Sequence, residues 1–320
     1  MKIKKLAISA LFAALLYGCA SDNGQNGPSL CKEVVTVEGE SPSLLPADKK
    51  FKLVWNDEFN GNALDESKWC YRTTFWMRKA HWFAEPEDGA VEIKDGKAYL
   101  KIVKRADGQY VTPQLQTGHL IWDYIHDNDK GFWPIKKVEE AKFTHRYGYY
   151  ECRCRTQQLP GWWSAFWMQT ESQGTSLDPA HSGIEHDIME CFRPGEIIPS
   201  CFHYGGYGAN HVQFCCPPYV EGNKLAPSTI VDKAEFHVFG MLWEADGYTL
   251  YLDGEPRGAK IGTNGKERVS QIPEFILITT EGQAFRANNC TGTATPELEK
   301  AYEAGDAFIV DYVRVYDVVD

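Results

Sequence analysis

No long basic run occurs in this chain, and acids outnumber bases, 44 Asp and Glu against 33 Lys and Arg, for a formal net charge of -11. Phosphate backbones are held by positive surface, so nucleic acid is excluded as a partner. The apolar run from Leu6 to Tyr17 falls short of the ~20 residues that a helical membrane span requires. A repeated CxxC is missing too, and with it the usual spacing of a zinc module. There is no internal repeat, no second composition regime and little helical periodicity. What the chain has in quantity is aromatic side chain: ten Trp, sixteen Tyr and sixteen Phe. That is more than a core of this size needs, so some of these rings are expected to face a ligand.

The first residues have the form of an export leader, Lys2, Lys4 and Lys5 followed by the apolar run. The run ends in "LYGC", which resembles the lipobox of bacterial lipoproteins. That resemblance implies cleavage before Cys19, lipidation of its thiol, and an exported protein held at the outer membrane or cell surface by lipid alone. Residues 1–18 are therefore assigned to the leader. Residues 19–46, opening with the small, polar "ASDNGQNGPS", are assigned to a flexible tether. Export makes disulfides possible. With Cys19 set aside nine cysteines remain, an odd number, and Cys152 and Cys154 lie on one strand face where a mutual disulfide is poor geometry. Several are read as buried small hydrophobes, and connectivity stays open.

Residues 47–320 form one predicted domain. Short alternating segments recur: "KAYLKIV" (97–103), "YGYYECRCRT" (147–156), "SAFWMQT" (164–170), "EFHVFGMLWE" (235–244), "YTLYLDGE" (248–255) and the C-terminal "AFIVDYVRVYD". Gly and Asp turns separate them. The pattern predicts an all-β fold, an antiparallel sandwich or jelly roll, with "TPELEKAYEAG" (295–305) as its one short helix.

One strand carries the chemistry. "GIEHDIMECF" places Glu185, Asp187 and Glu190 within six positions. Alternation puts Glu185 and Asp187 on one face and Glu190 on the other. A single inserted residue near Ile188 and Met189, a β-bulge, would return Glu190 to the first face. Upstream, "PGWWSAFWMQT" sets Trp163, Ala165 and Trp167 on one face. Aromatic faces stack on the C–H faces of sugar rings. Paired carboxylates between aromatic walls suit glycoside hydrolysis, in which one acid protonates the leaving oxygen and the other attacks the anomeric carbon or activates water.

These residues resemble glycoside hydrolase family 16, the laminarinase, agarase, porphyranase and carrageenase group. "GIEHDIME" is similar to its E-x-D-x-x-E signature, and "LVWNDEFNG", "GYYECR", "GWWSAFWM", "HYGG", "FHVFGMLWEADGYTLYLDGE" and "VDYVRVYD" follow in the family's order between residues 51 and 317. The resemblance implies a concanavalin A-like jelly roll of two antiparallel sheets with a concave substrate cleft, and retaining endo-hydrolysis of a β-linked polysaccharide. It implies Glu185 as nucleophile, Glu190 as acid/base and Asp187 as the assisting acid. It also implies Trp163, Trp167 and His203 as substrate-binding residues. Ser164 stands where the family has Pro. Family members often hold a structural calcium on the convex side, while no cofactor is required.

His186 occupies the position after the nucleophile where an aliphatic residue is usual. Parity turns it toward the interior, where a neutral imidazole needs a hydrogen-bond partner. A metal centre built from His181, Glu185, His186 and Asp187 would need residues of opposite faces to converge, so no metal is expected. The loops "FWMRKAHWF" (75–83) and "HLIWDYIHDNDKGFWPIKK" (119–137) bring Arg78, Lys79, His81, Lys136 and Lys137, suited to sulfate or carboxylate on an anionic galactan. "FILITTEGQ" differs from the "LNLAVGG" of laminarinases. The reading leans to a galactan over a β-glucan, with a monomer as the expected state. The rival reading is a lipid-anchored, non-catalytic glycan-binding jelly roll, since fold alone never establishes function.

Overall fold

Alternating apolar side chains commit each strand to burying one face, and here two antiparallel sheets bury theirs against each other. The computed structural model describes residues 27–73, 82–122, 135–137, 139–206, 209–216, 227–262, 268–283 and 294–320. The eight-stranded back sheet runs in the order Glu255–Pro256, Gly247–Leu252, His237–Glu244, Gly148–Arg155, Ala307–Val319, Lys97–Lys101, Val91–Lys94, with Lys50–Asp57 also paired to Ala307–Val319. The nine-stranded front sheet runs Val212–Cys216, Ser200–Tyr204, Glu185–Arg193, Trp162–Gln169, Phe275–Gly282, Gln114–Gln116, Cys70–Tyr71, with Glu196–Ile197 and Thr229–Ile230 to one side. The non-sequential order is that of a jelly roll.

Between the sheets lies one main core. Tyr150, Cys152, Cys154, Phe239 and Met241 come from the back sheet and meet Phe166, Met168, Ile184, Ile276 and Ile278 from the front. Alternation then fixes the outer faces: Tyr149, Glu151 and Arg153 behind, Trp163, Ala165 and Trp167 in front. The predicted helix forms over Pro296–Glu303, where Thr295 accepts from Leu298 N–H and Pro296 fills the first turn. It packs Leu298 and Ala301 against Trp162.

The domain starts earlier than the boundary at residue 47. Cys31–Val34 pairs with Ser43–Pro46 in a hairpin laid over the back sheet, so residues 31–46 are folded structure rather than tether. Polar composition concealed this, because the hairpin is held by hydrogen bonds to buried polar side chains. Ser43 Oγ bonds Arg314 Nη1 (2.7 Å) and Tyr316 Oη (2.5 Å), Leu44 N–H donates to Glu151 (2.8 Å), and Thr36 bonds Tyr316 (2.8 Å). Leu45 adds an apolar plug.

Candidate active site

The acidic strand Glu185–Arg193 lies between Trp162–Gln169 and Ser200–Tyr204. Its ladder pairs Phe166 with Met189 but Trp167 with Asp187, leaving Ile188 as the extra residue of a bulge. Ile188 and Met189 both enter the core. Two consecutive inward residues restore Glu190 to the outer face with Glu185 and Asp187, as the parity of the sequence requires. Gly183 (φ 76) leads into the strand. A Cβ there would stand 2.1 Å from Thr170 Cγ2 and 3.2 Å from Glu274 Oε1, so any side chain would push the acids out of place.

Glu185 and Asp187 are only 7% and 6% exposed, and Glu190 is half-buried. Gln169 Nε2 donates to Glu185 Oε2 (3.3 Å), and His203, directly opposite Glu185 in the ladder, sets Nε2 3.2 Å from Asp187 Oδ2. Gln173 Nε2 donates to the His203 carbonyl (2.9 Å), and His203 Nδ1 meets His211 Nε2 at 2.8 Å. Glu185, Asp187 and His203 each bring one polar atom within 4.8 Å of the others. A cation placed among them would have to displace the proton that joins His203 to Asp187. Two carboxylates held so close disfavour each other's ionisation.

Trp163, Ala165 and Trp167 share the outer face, as predicted. Trp167 is worked into the floor: Nε1 donates to Thr279 Oγ1 (2.9 Å), the Arg72 guanidinium lies 5.5 Å from its ring centre, and Phe83, Leu120, Phe275 and Leu277 surround it. Trp163, 4% exposed, packs against Phe192 with ring centres 5.0 Å apart. Behind the strand, His186 is fully buried against Phe202, Trp243 and Tyr248. Its required partner is Glu274, whose Oε2 lies 2.7 Å from Nδ1 and whose Oε1 accepts Ile184 N–H (3.1 Å). His181 is exposed and paired with Asp178, away from the acids.

The structural calcium implied by the family resemblance needs oxygens without cations of their own. Among the described residues, Asp57 accepts from Phe59 N–H and Trp69 Nε1 and lies 3.5 Å from Lys68 Nζ. Glu58 is paired with Arg314, and Asp311 with Lys97 and Arg153. That set does not fit calcium. Cys201 and Cys215, opposite each other on the outer face of the front sheet, form a disulfide that spacing had left open. Cys152, Cys154 and Cys191 are free and buried, as expected. Cys19, Arg78, Lys79 and His81 lie outside the described residues, as do the side chains of Lys136 and Lys137.

Sequence reasoning missed Gln169, Gln173, His211 and the buried acids Glu274 and Glu281. Gln169 and Glu281 were reachable by parity, since Gln169 continues the 163, 165, 167 face and Glu281 pairs with Trp163. His211 carried no local signal, because only the fold of its hairpin brings it to His203.

A family model described as the β-porphyranase A–D GH16 domain matches residues 52–318. The chain is similar to glucan endo-1,3-beta-glucosidase A1 of Niallia circulans, at 27% identity over 85% of this chain and 38% of that one. It is similar to beta-porphyranase D of Zobellia galactanivorans, at 22% identity over 88% of this chain and 64% of the other. The chain thus spans less than two thirds of the length of either relative. Among solved structures, the laminarinase of Rhodothermus marinus aligns at a TM-score of 0.61 and 18% identity, covering 85% of this chain and 99% of that one.

Proposed function

Because the chain belongs to glycoside hydrolase family 16, in the family of the β-porphyranase A–D GH16 domain, we propose that it is a retaining, endo-acting hydrolase of a β-linked polysaccharide. The observation that carries this reading is the Ile188 bulge, which brings three carboxylates to one face. Glu185 attacks the anomeric carbon while Glu190 protonates the leaving oxygen. Glu190 then deprotonates the water that releases the glycosyl-enzyme. Asp187, held by His203, governs the ionisation of Glu185. No step calls for a metal or cofactor. Trp163 supplies the sugar platform, with Trp167 four residues along the same face as part of the floor.

The substrate we assign is a galactan of the porphyran type rather than a β-glucan. The matched family and the porphyranase relatives support this, as does the "FILITTEGQ" strand, which differs from the "LNLAVGG" of laminarinases. We further place the protein as an exported lipoprotein anchored at Cys19, acting as a monomer. The Lys-rich apolar leader ending in Cys and the Cys201–Cys215 disulfide both support an oxidising compartment. A reducing-end assay on laminarin, mixed-linkage glucan, agarose, porphyran and carrageenan tests activity and substrate together. New ends from porphyran, absent with Glu185→Ala, are expected. Tight binding to any of these chains without cleavage would favour the glycan-binding alternative.

A further inference from the structure

His203 sits on Ser200–Tyr204, which pairs antiparallel with Val212–Cys216. Gly205 (φ 75) lets the backbone pass close to Asn210, since a Cβ there would lie 2.4 Å from the Asn210 carbonyl oxygen. His211, the residue before the returning strand, is thereby set against His203. The rings are inclined by only 8°, with centres 5.1 Å apart and Nδ1 to Nε2 at 2.8 Å. That centre separation is close to the hydrogen-bond length plus the two ring radii. The imidazoles are therefore coplanar and joined edge to edge, the geometry in which an N–H···N bond is best aligned.

Such a contact needs one N–H and one lone pair. Asp187 Oδ2, at the other end of His203, accepts the hydrogen on Nε2. His203 then has two forms. Neutral, it presents a lone pair at Nδ1 and accepts from His211 Nε2–H. As imidazolium it donates from Nδ1 to the His211 lone pair. His211 complements both forms, whereas two imidazolium rings would set N–H against N–H. Burial, and next to it the neighbouring His203, push the His211 pKa down, in keeping with a pair that holds one extra proton. Among the described residues, the charged groups set against the pair are Asp187 and Glu185. From the returning strand Gln213 faces His203, and the Cys201–Cys215 disulfide follows; neither carries charge.

We propose that His211 is a positioning residue, the third member of a chain Asp187, His203, His211 that keeps Asp187 Oδ2 a hydrogen-bond acceptor beside Glu185. A proton carried by Asp187 then belongs on its other oxygen. This deepens the reading of the acid cluster as a hydrolytic site and rests on it.

The test compares wild-type enzyme with His211→Phe, which keeps the ring plane but loses both nitrogens, and His211→Gln, whose amide can again donate or accept. On the polysaccharide that the wild type cleaves, His211→Phe is expected to lower kcat roughly tenfold with KM nearly unchanged. It should also shift the pH–rate profile, because the hydrogen-bond chain that holds Asp187 Oδ2 as an acceptor is cut at its third member. His211→Gln should recover most of both effects. Profiles of His211→Phe that superimpose on wild type would overturn the proposal. So would a loss that Gln fails to rescue and that follows the fall in melting temperature. Nitrogen NMR of histidine-labelled protein separates this from the underlying reading. A His203 Nδ1 signal that shows an N–H···N bond in wild type and loses it in His211→Phe supports the chain even if no polysaccharide is cleaved, and an unchanged signal refutes it.

Discussion

Both outer faces of the sandwich bury carboxylates, and they partner them differently. On the back face, Glu58 takes a bidentate pair of bonds from Arg314 (2.9 and 2.7 Å). Asp311, itself the extra residue of a bulge, is shared by Lys97 (3.2 Å) and Arg153 (2.5 Å). The Glu58 bonds hold the Arg314 guanidinium above its ordinary range although burial works against its charge. On the front face, the partners of Glu185 and Asp187 among the described residues include an amide, an imidazole and each other. A carboxylate with an Arg stays ionised and becomes structure, while one facing an imidazole and a second acid can trade protons. Burial is similar on the two faces, so the partner decides the role.

If that contrast holds, losing a front acid abolishes chemistry without unfolding the domain. Glu185→Ala should lower kcat by on the order of 10⁴-fold, about 5 kcal/mol of barrier. An activated aryl glycoside should not rescue it. Glu190→Ala should still form the glycosyl-enzyme from such a substrate and, with azide, release a β-glycosyl azide. The β-azide arising from Glu185→Ala instead would reverse the two roles.

Losing a back-face partner should do the opposite. Arg314→Met leaves Glu58 buried without its cation and should cost about 3–5 kcal/mol of stability, with turnover per folded molecule unchanged. Urea unfolding followed alongside specific activity decides it, and a kcat loss at full stability would erase the distinction between the faces.

Glu151 sharpens the comparison from within the back face. Burial raises its pKa from 4.5 to about 7, against smaller opposing contributions from Tyr312, Leu44 N–H and Ser43. Between those values the folded chain binds more protons at this site than the unfolded chain, so its stabilising contribution is complete below the unfolded pKa and is lost as pH rises through about 7. Up to roughly 3 kcal/mol rides on this one group. Glu151→Gln should flatten the fall in unfolding midpoint between acidic and alkaline buffer, and an unchanged slope would show that Glu151 is ionised throughout. The smallest effect is expected for Trp163→Ala, a drop in kcat/KM of about tenfold, or 1.4 kcal/mol. Unfolding as its main consequence would reassign Trp163 from sugar platform to core.

Most of the strands were legible because each buries one face, and alternation survives in the sequence. The bulge was legible for a related reason: three acids of mixed parity conflict with a regular strand. His186 read correctly as inward for the same cause, but its partner Glu274 lies far along the chain and nothing local points to it. The N-terminal hairpin escaped notice because Ser41, Ser43 and Thr36 look like linker residues until Arg314 and Tyr316 are seen waiting for them. Hydrophobic patterning reports burial driven by apolar area. It is silent on segments held by hydrogen bonds to buried polar side chains.

The ladder also bears on how such a strand can change over evolutionary time. Phe166 faces Met189 and Trp167 faces Asp187, so the pairing on either side of Ile188 is already continuous without it. Loss of that one codon would leave Glu185, Asp187 and Glu190 in strict alternation on the same face, at the cost of one buried side chain. Bulged and unbulged acidic strands are thus neighbours in sequence space, separated by a single deletion that changes the spacing of the acids and never their side. A chain lacking Ile188 that folds with Glu190 turned inward would contradict this.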